Sequence, residues 1–214
     1  DVYKRQISLS GNLVLNARLL KKYVEIFKKL KQSRKIKKLF IAVGGGSEAR
    51  LYINLAKRLG LSRDEQDEMG IAVTRINALL LSLLLGLGKD IPKSYEELKK
   101  ALFRKRIVIA GGLKPRQSTD KVAADAAVLM KADILVNLTN VAGVYTADPK
   151  KCKSVKLLKS VTYNRLKEIL SRVKQAPGNY ALFDLSAIDV VKKAKIPVRI
   201  VDGRKPRNLI KVLK

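Results

Sequence analysis

The chain has 214 residues, enough for one well-buried α/β domain and short for two. Forty-six Lys and Arg stand against eighteen Asp and Glu, a formal charge of +28, and there is no histidine, no tryptophan and one cysteine, Cys152. Histidine-dependent catalysis, Cys/His zinc sites and an internal disulfide are thereby excluded, and the most apolar run, 78–85, is too short to span a bilayer. The cysteine count fits a reducing compartment, and a cytoplasmic protein is expected. A field of this sign attracts polyanions. The basic residues are scattered, however, with their densest group over 28–38. They read chiefly as a solvated surface, and no nucleic-acid or membrane partner is expected.

Residues 1–6, DVYKRQ, resemble a translated sequencing adapter and are set aside; a single domain is expected over 7–214, shortened at both ends. Residues 7–9 read as the remnant of a first strand running into the turn Ser10-Gly11-Asn12. Over 17–31, Leu19, Leu20, Tyr23, Val24, Phe27 and Leu30 recur at helical spacing and predict one buried face. The apolar run 39–43 predicts a buried strand ended by Gly44-Gly45-Gly46, with Ser47 as N-cap of a helix to about 59. A long helix is expected over 64–85, then a loop over 86–93. A strand over 106–110 ends in Gly111-Gly112, and Ser118 and Thr119 open a helix through 130. A strand over 134–138 leads into Thr139-Asn140. Helices over 162–173 and 186–194, a strand over 198–201 and a helix over 206–213 complete the chain. Strands that alternate with helices and lack a period of two predict an α/β fold, a mainly parallel sheet with helices on both faces.

The loops after the strands carry the chemistry. In open α/β sheets, ligands bind at the carboxyl ends of the strands. Glycine there lets backbone N–H groups approach phosphate oxygens, and the helix after Gly46 adds its positive end. Arg50, one turn into that helix, offers a planar fork for phosphate. Ordinary tight turns and an ordinary surface arginine are the competing explanations of these features taken singly. Neither GxxxxGK[ST] nor GxGxxG occurs, which disfavours a P-loop kinase and a simple dinucleotide site.

GGGSEARLYI (44–53), MGIAVTRINALLL (69–81), GGLKPRQSTDKVAADAA (111–127), TNVAGVYTADP (139–149) and FDLSAIDVVKKAKIPVRIVDG (183–203) occur in this order. Together they resemble the uridylate (UMP) kinases of the amino acid kinase family, archaeal type, and the likeness covers nearly all of 7–214. It implies an αβα sandwich, ATP with Mg²⁺, transfer of the γ-phosphoryl group to UMP, and a homo-oligomer, a hexamer built from dimers.

Position by position, the resemblance implies that Ser8, Leu9, Ser10, Gly11 and Asn12 form the first phosphate loop around ATP. It sets Gly45 toward UMP and Gly46 toward ATP. Arg50 would bridge the phosphates, and Asp120 would organise the catalytic centre. Thr139, Tyr145 and Asp148 would line the ATP site, Tyr145 beside adenine and Asp148 near ribose. Asp67 would hold the uridine sugar, and Leu113, Lys114, Pro115, Arg116, Gln117, Ser118 and Thr119 would wrap UMP. Magnesium would be held mainly by phosphate oxygens and water, with no dedicated protein ligands. Many family members keep a lysine where Ser8 stands, and an aspartate where Ala142 stands. Two alternatives stay open: action on another small acid or phosphate, and a nucleotide-sensing or nucleic-acid-binding homologue without turnover.

Overall fold

A computed structural model describes residues 2–147, 154–172 and 182–213. Five strands, β1 (Tyr3–Leu9), β2 (Ile36–Val43), β3 (Ile107–Ala110), β4 (Ile134–Thr139) and β5 (Val198–Asp202), form one parallel sheet in the order β3-β2-β1-β4-β5. From β1 the chain winds outward to β3. It then returns through α6 (Thr119–Leu129) to β4 on the other side of β1. The winding reverses between β1 and β4, and such a switch point opens a crevice at the carboxyl ends of the strands.

Side chains alternate across the pleat and build two cores. Ile7, Leu9, Leu39, Ile41, Val43, Val136 and Leu138 pack under α1 (Gly11–Val14), α2 (Ala17–Gln32), α9 (Arg207–Leu213) and the last turns of α4 (Arg63–Leu84). Phe40, Ala42, Val108, Ala110 and Leu135 pack under α5 (Tyr95–Arg104), α6, α7 (Tyr163–Ser171) and α8 (Leu185–Lys193). In α6 the sheet-facing residues Ala123, Ala124, Ala126 and Ala127 are fully buried, and their small size brings the helix close over β1 and β2. The remaining helix, α3 (Gly46–Arg58), packs along α4.

Polar caps set the helix starts. Ser62 and Glu65 form a reciprocal capping box on α4, and Ser94, Ser118, Thr162 and Asp184 cap α5, α6, α7 and α8. Three observations differ from expectation. The helix after the triple glycine starts at Gly46 with Gly45 as N-cap; Ser47 is inside it, and its N–H donates to Asn12 Oδ1 at 2.8 Å. Helices α1 and α5 were not expected at all. The first strand reaches back to Tyr3, so residues set aside at the N-terminus pair with β2 and β4. There Gln6 is fully buried with neither amide atom paired, and Arg5 lies with its guanidinium 4.1 Å from the Tyr3 ring centroid and Nε unpaired.

Two lysines of the basic run over 28–38, together with Arg106, close helix ends. Lys38 donates to the carbonyls of Leu102, Phe103 and Lys105 at the C-terminal end of α5, and Lys31 to that of Leu85 after α4. Arg106 takes the carbonyls of Lys31 in the last turn of α2, of Ser33 that follows it, and of Ile36 at the start of β2. Cations at these carbonyls also complement the helix dipoles.

Candidate active site

The carboxyl ends of β1, β2 and β4 open into a cavity of about 160 Å³. Its shape comes from two loops in close contact. A Cβ added at Gly11 would lie 2.2 Å from Gly46 N and 2.5 Å from Gly44 O, so no other residue lets the loops approach this far. Gly46 holds φ at +72°, the left-handed region that favours glycine. Asn77, from α4, donates to Gly44 O at 2.9 Å and fixes the loop from behind. Ser8, Leu9, Ser10, Gly46, Arg50, Thr119, Asp120 and Thr139 also line the cavity. Arg50 is exposed on the first turns of α3, and its side chain closes one side of the cavity. Asn12 acts differently: its side chain is engaged at the α3 amide and steadies the loop.

At the cavity floor the Ser8 hydroxyl donates to Asp120 Oδ1 at 2.9 Å. Burial pushes the Asp120 carboxyl up to about 6; hydrogen bonds from Ser8 and the Asp184 backbone favour its charged form, while the Asp184 charge opposes it. Asn137, two residues before the end of β4, donates to Leu182 O at 2.7 Å and ties the segment before α8 to the same floor.

A second, wider cavity of about 520 Å³ adjoins the first through the Ser118–Thr119 step. Asp67, Arg116, Gln117, Ser118, Arg63 and Asp184 line it. Asp67 accepts the Arg116 N–H at 2.8 Å, and Asp64 pairs with the Arg116 guanidinium at 2.8 Å, so the start of α4 clasps the loop before α6. Arg116 holds φ at 60° at the tip of that loop. From the other side Thr74 accepts the Gly112 N–H at 2.7 Å, and Arg75 donates to the carbonyls of Gly112 and Leu113. The Leu113 side chain is buried in the core, so only its backbone can meet a ligand. Lys114 reaches over the Tyr95 ring, 5.9 Å from Nζ to centroid, and the Gln117 amide lies 2.9 Å from the Tyr95 hydroxyl. Pro115 is partly exposed on the same loop.

Toward β5, the Thr139 hydroxyl is held in a local turn with the Val141 backbone. Tyr145 bridges to Leu157 beside Arg204 and does not line the smaller cavity. Asp148 lies outside the described residues.

Glycine loops, a helix N-terminus, an arginine and a half-buried carboxylate thus converge on one small cavity suited to an anion. The pattern of the amino acid kinase family matches residues 7–202. The chain belongs to the amino acid kinase family. A uridylate kinase of Hyperthermus butylicus is 40% identical over 211 residues, 97% of this chain and 92% of that protein. One from Methanobrevibacter smithii is 35% identical over 209 residues, 97% of this chain and 93% of the relative. The crystal structure of uridylate kinase from Archaeoglobus fulgidus superimposes with a TM-score of 0.86 at 34% identity, covering 98% of this chain and 94% of that one.

Within this family fold, several supporting residues escaped sequence reasoning: Thr74, Arg75 and Asn77 of α4, and Asp184 at the start of α8. The first and third are buried polar residues one helical turn apart in an otherwise apolar stretch. That pattern was the available signal, since a buried polar side chain needs a specific partner. Nothing local in the sequence marks Asp184, whose place beside Asp120 arises from tertiary packing.

Proposed function

We propose that the chain is a uridylate kinase, forming UDP and ADP from UMP and ATP. The observation that carries this is the junction of Gly11 with Gly44–Gly46, which closes a phosphate-sized cavity between Arg50 and Asp120. A UMP phosphate oxygen attacks the γ-phosphorus of ATP while the bond from that phosphorus to the β–γ bridging oxygen breaks, and ADP leaves. Such transfer asks the protein for alignment and neutralisation of charge, not for a covalent partner. The smaller cavity takes the phosphates, and Arg50 spans donor and acceptor. The larger cavity beside Asp67 and 113–119 takes the nucleoside of UMP. Thr139, Tyr145 and Asp148 serve the ATP side.

Among the described residues no three His, Cys, Asp or Glu side chains gather as a metal cage. A magnesium ion accompanying ATP fits this donor set if phosphate oxygens and water hold it, with Asp120 as the nearby anchored anion. The ion would supply charge neutralisation at the phosphates. Leu51 and Leu55 of α3 and Ile76, Leu80 and Leu83 of α4 form an exposed apolar face, Leu51 and Ile76 being 65% and 64% exposed. A contiguous face of this kind marks an interface, and we assign it to assembly with further copies of the chain. Among the described residues no helix is long and apolar enough to cross a membrane, and we place the protein in the cytoplasm.

The test is direct. The purified protein with ATP and Mg²⁺ is offered UMP, CMP, AMP and small carboxylic acids in turn. UDP should form fastest. Equal turnover of the three nucleotides removes the uracil preference, and product only from a carboxylic acid replaces the substrate class.

A further inference from the structure

We propose that the groove between α2 and α9 docks single-stranded nucleic acid through its phosphates. The groove encloses about 670 Å³ and is separate from the phosphate cavity; neither Arg50 nor Asp120 lines it. Lys22 and Lys29 stand on one wall, seven residues apart on the same face of α2. Arg207 and Lys211 stand on the other wall, one turn apart on α9. Helical rise puts the first pair about 10 Å apart along the groove and the second pair about 6 Å apart. Ile26, Pro206 and Ile210 lie between the walls and give an apolar floor.

These cations, like many others on the surface, are not used by the fold; what distinguishes them is that they face one another across one groove. Lys31, Lys38 and Arg106 are taken up by helix-end carbonyls. Arg204, at the mouth of the groove, is held by Asp202 at 2.8 Å, and Lys205 also faces that carboxylate. Among the described residues, Lys22, Lys29, Arg207 and Lys211 have no carbonyl or carboxylate partner within bonding distance, and one acid, Glu25, lies among them. Four unengaged cations on two facing walls complement a flexible phosphate chain better than a flat surface does. With no aromatic side chain in the floor, base stacking is absent and binding should be tolerant of sequence. The expectation drawn from the sequence, that nucleic acid is no partner, rested on scattered charge. The fold gathers part of that charge in one place.

The experiment is fluorescence anisotropy with labelled oligo(A) and oligo(dA) of about 12 nucleotides, in excess ATP and UMP to occupy the phosphate cavity. Four neutralised phosphates predict that log Kd rises with log salt at a slope of about 3 for a single strand. Replacing Lys22, Lys29, Arg207 and Lys211 with Gln together should weaken binding at least tenfold and flatten the slope. Replacing Lys99, Arg104, Lys131 and Lys193 with Gln, the same loss of charge at exposed sites elsewhere, should change Kd less than threefold. Phosphoryl transfer should persist in both. Tighter binding of oligo(A) than oligo(dA) names RNA as the occupant; equal binding supports docking by phosphate alone. Equal weakening in the two variants, displacement of the strand by ATP or UMP, or capture by anionic vesicles but not by oligonucleotides would each overturn the proposal.

Discussion

The Ser8 hydroxyl donates to the Asp120 carboxylate at 2.9 Å, tying the central strand to the first turn of α6 beneath the phosphate cavity. A neutral donor here stabilises the charged carboxylate. Burial holds Asp120 up at about 6, so its charge is set within the range of physiological pH.

Removing this donor should therefore shift the pH profile. The ionised carboxylate is the form that can anchor cations beside the phosphates, so kcat should rise with pH through about 6. In Ser8→Ala the charged form loses a hydrogen bond, and the acid limb should move to higher pH. Measurement of kcat against pH for both proteins checks this; superimposable limbs would separate Asp120 from the rate.

Stability should carry the same signature. The folded-state value of Asp120 lies above the unfolded value, so ionisation destabilises the fold: the penalty is absent below about pH 4 and complete above about pH 6. Asp120→Asn should gain on the parent with rising pH, on the order of 3 kcal/mol by pH 8. Urea titrations at pH 4 and pH 8 measure the difference, and a gap independent of pH refutes it.

Arg50 tests the transfer step itself. Arg50→Ala should lower kcat by about 10²–10³, less than a lone arginine finger because glycine-loop amides and Mg²⁺ share the charge. Arg50→Lys should recover only part of the rate, since an ammonium cannot make the bidentate contact. Steady-state kinetics on both nucleotides decide it; near-parental kcat and KM would leave Arg50 as a surface residue.

Gly11 tests the loop junction. The methyl of Gly11→Ala meets backbone at 2.2 Å, which a side-chain rotation cannot relieve. Turnover should fall at least a hundredfold, and strain of about 1–3 kcal/mol should lower Tm. An active variant with unchanged Tm would mean the two loops separate easily.

The orphaned Gln6 predicts a gain. Its neighbours across the sheet are Phe40 and Leu135, both apolar core residues. Gln6→Val removes two unpaired buried polar atoms and should add about 1–3 kcal/mol. Thermal unfolding of the two proteins checks the sign.

How much of this was legible follows from what each feature depends on. The strand cores and the glycine loops were legible because apolar runs and tight turns are local. Arg50 could be associated with the glycine loops because it lies one turn from them, and it lines the same cavity. The four residues of α1 have too little length for a periodic signal. Helix α5 was readable in principle: Ser94 caps Glu97, and Leu98 and Leu102 are buried one turn apart. The bracing of the loops by Asn77 and Arg75, and the position of Asp184 beside Asp120, depend on helices arriving from distant parts of the chain. No local pattern encodes those meetings.

The place of β1 at the middle of the sheet bears on how the chain acquires its shape. One of its two neighbours, β4, lies far along the chain and is made well after it: Arg5 pairs with Ile134. Until then a strand with a free row of amides and carbonyls faces solvent, a template for pairing with other chains. Pairings so distant in sequence also slow folding. Nascent chains ending before β4 should accordingly associate with one another or with chaperones, and chains long enough to include β4 should not.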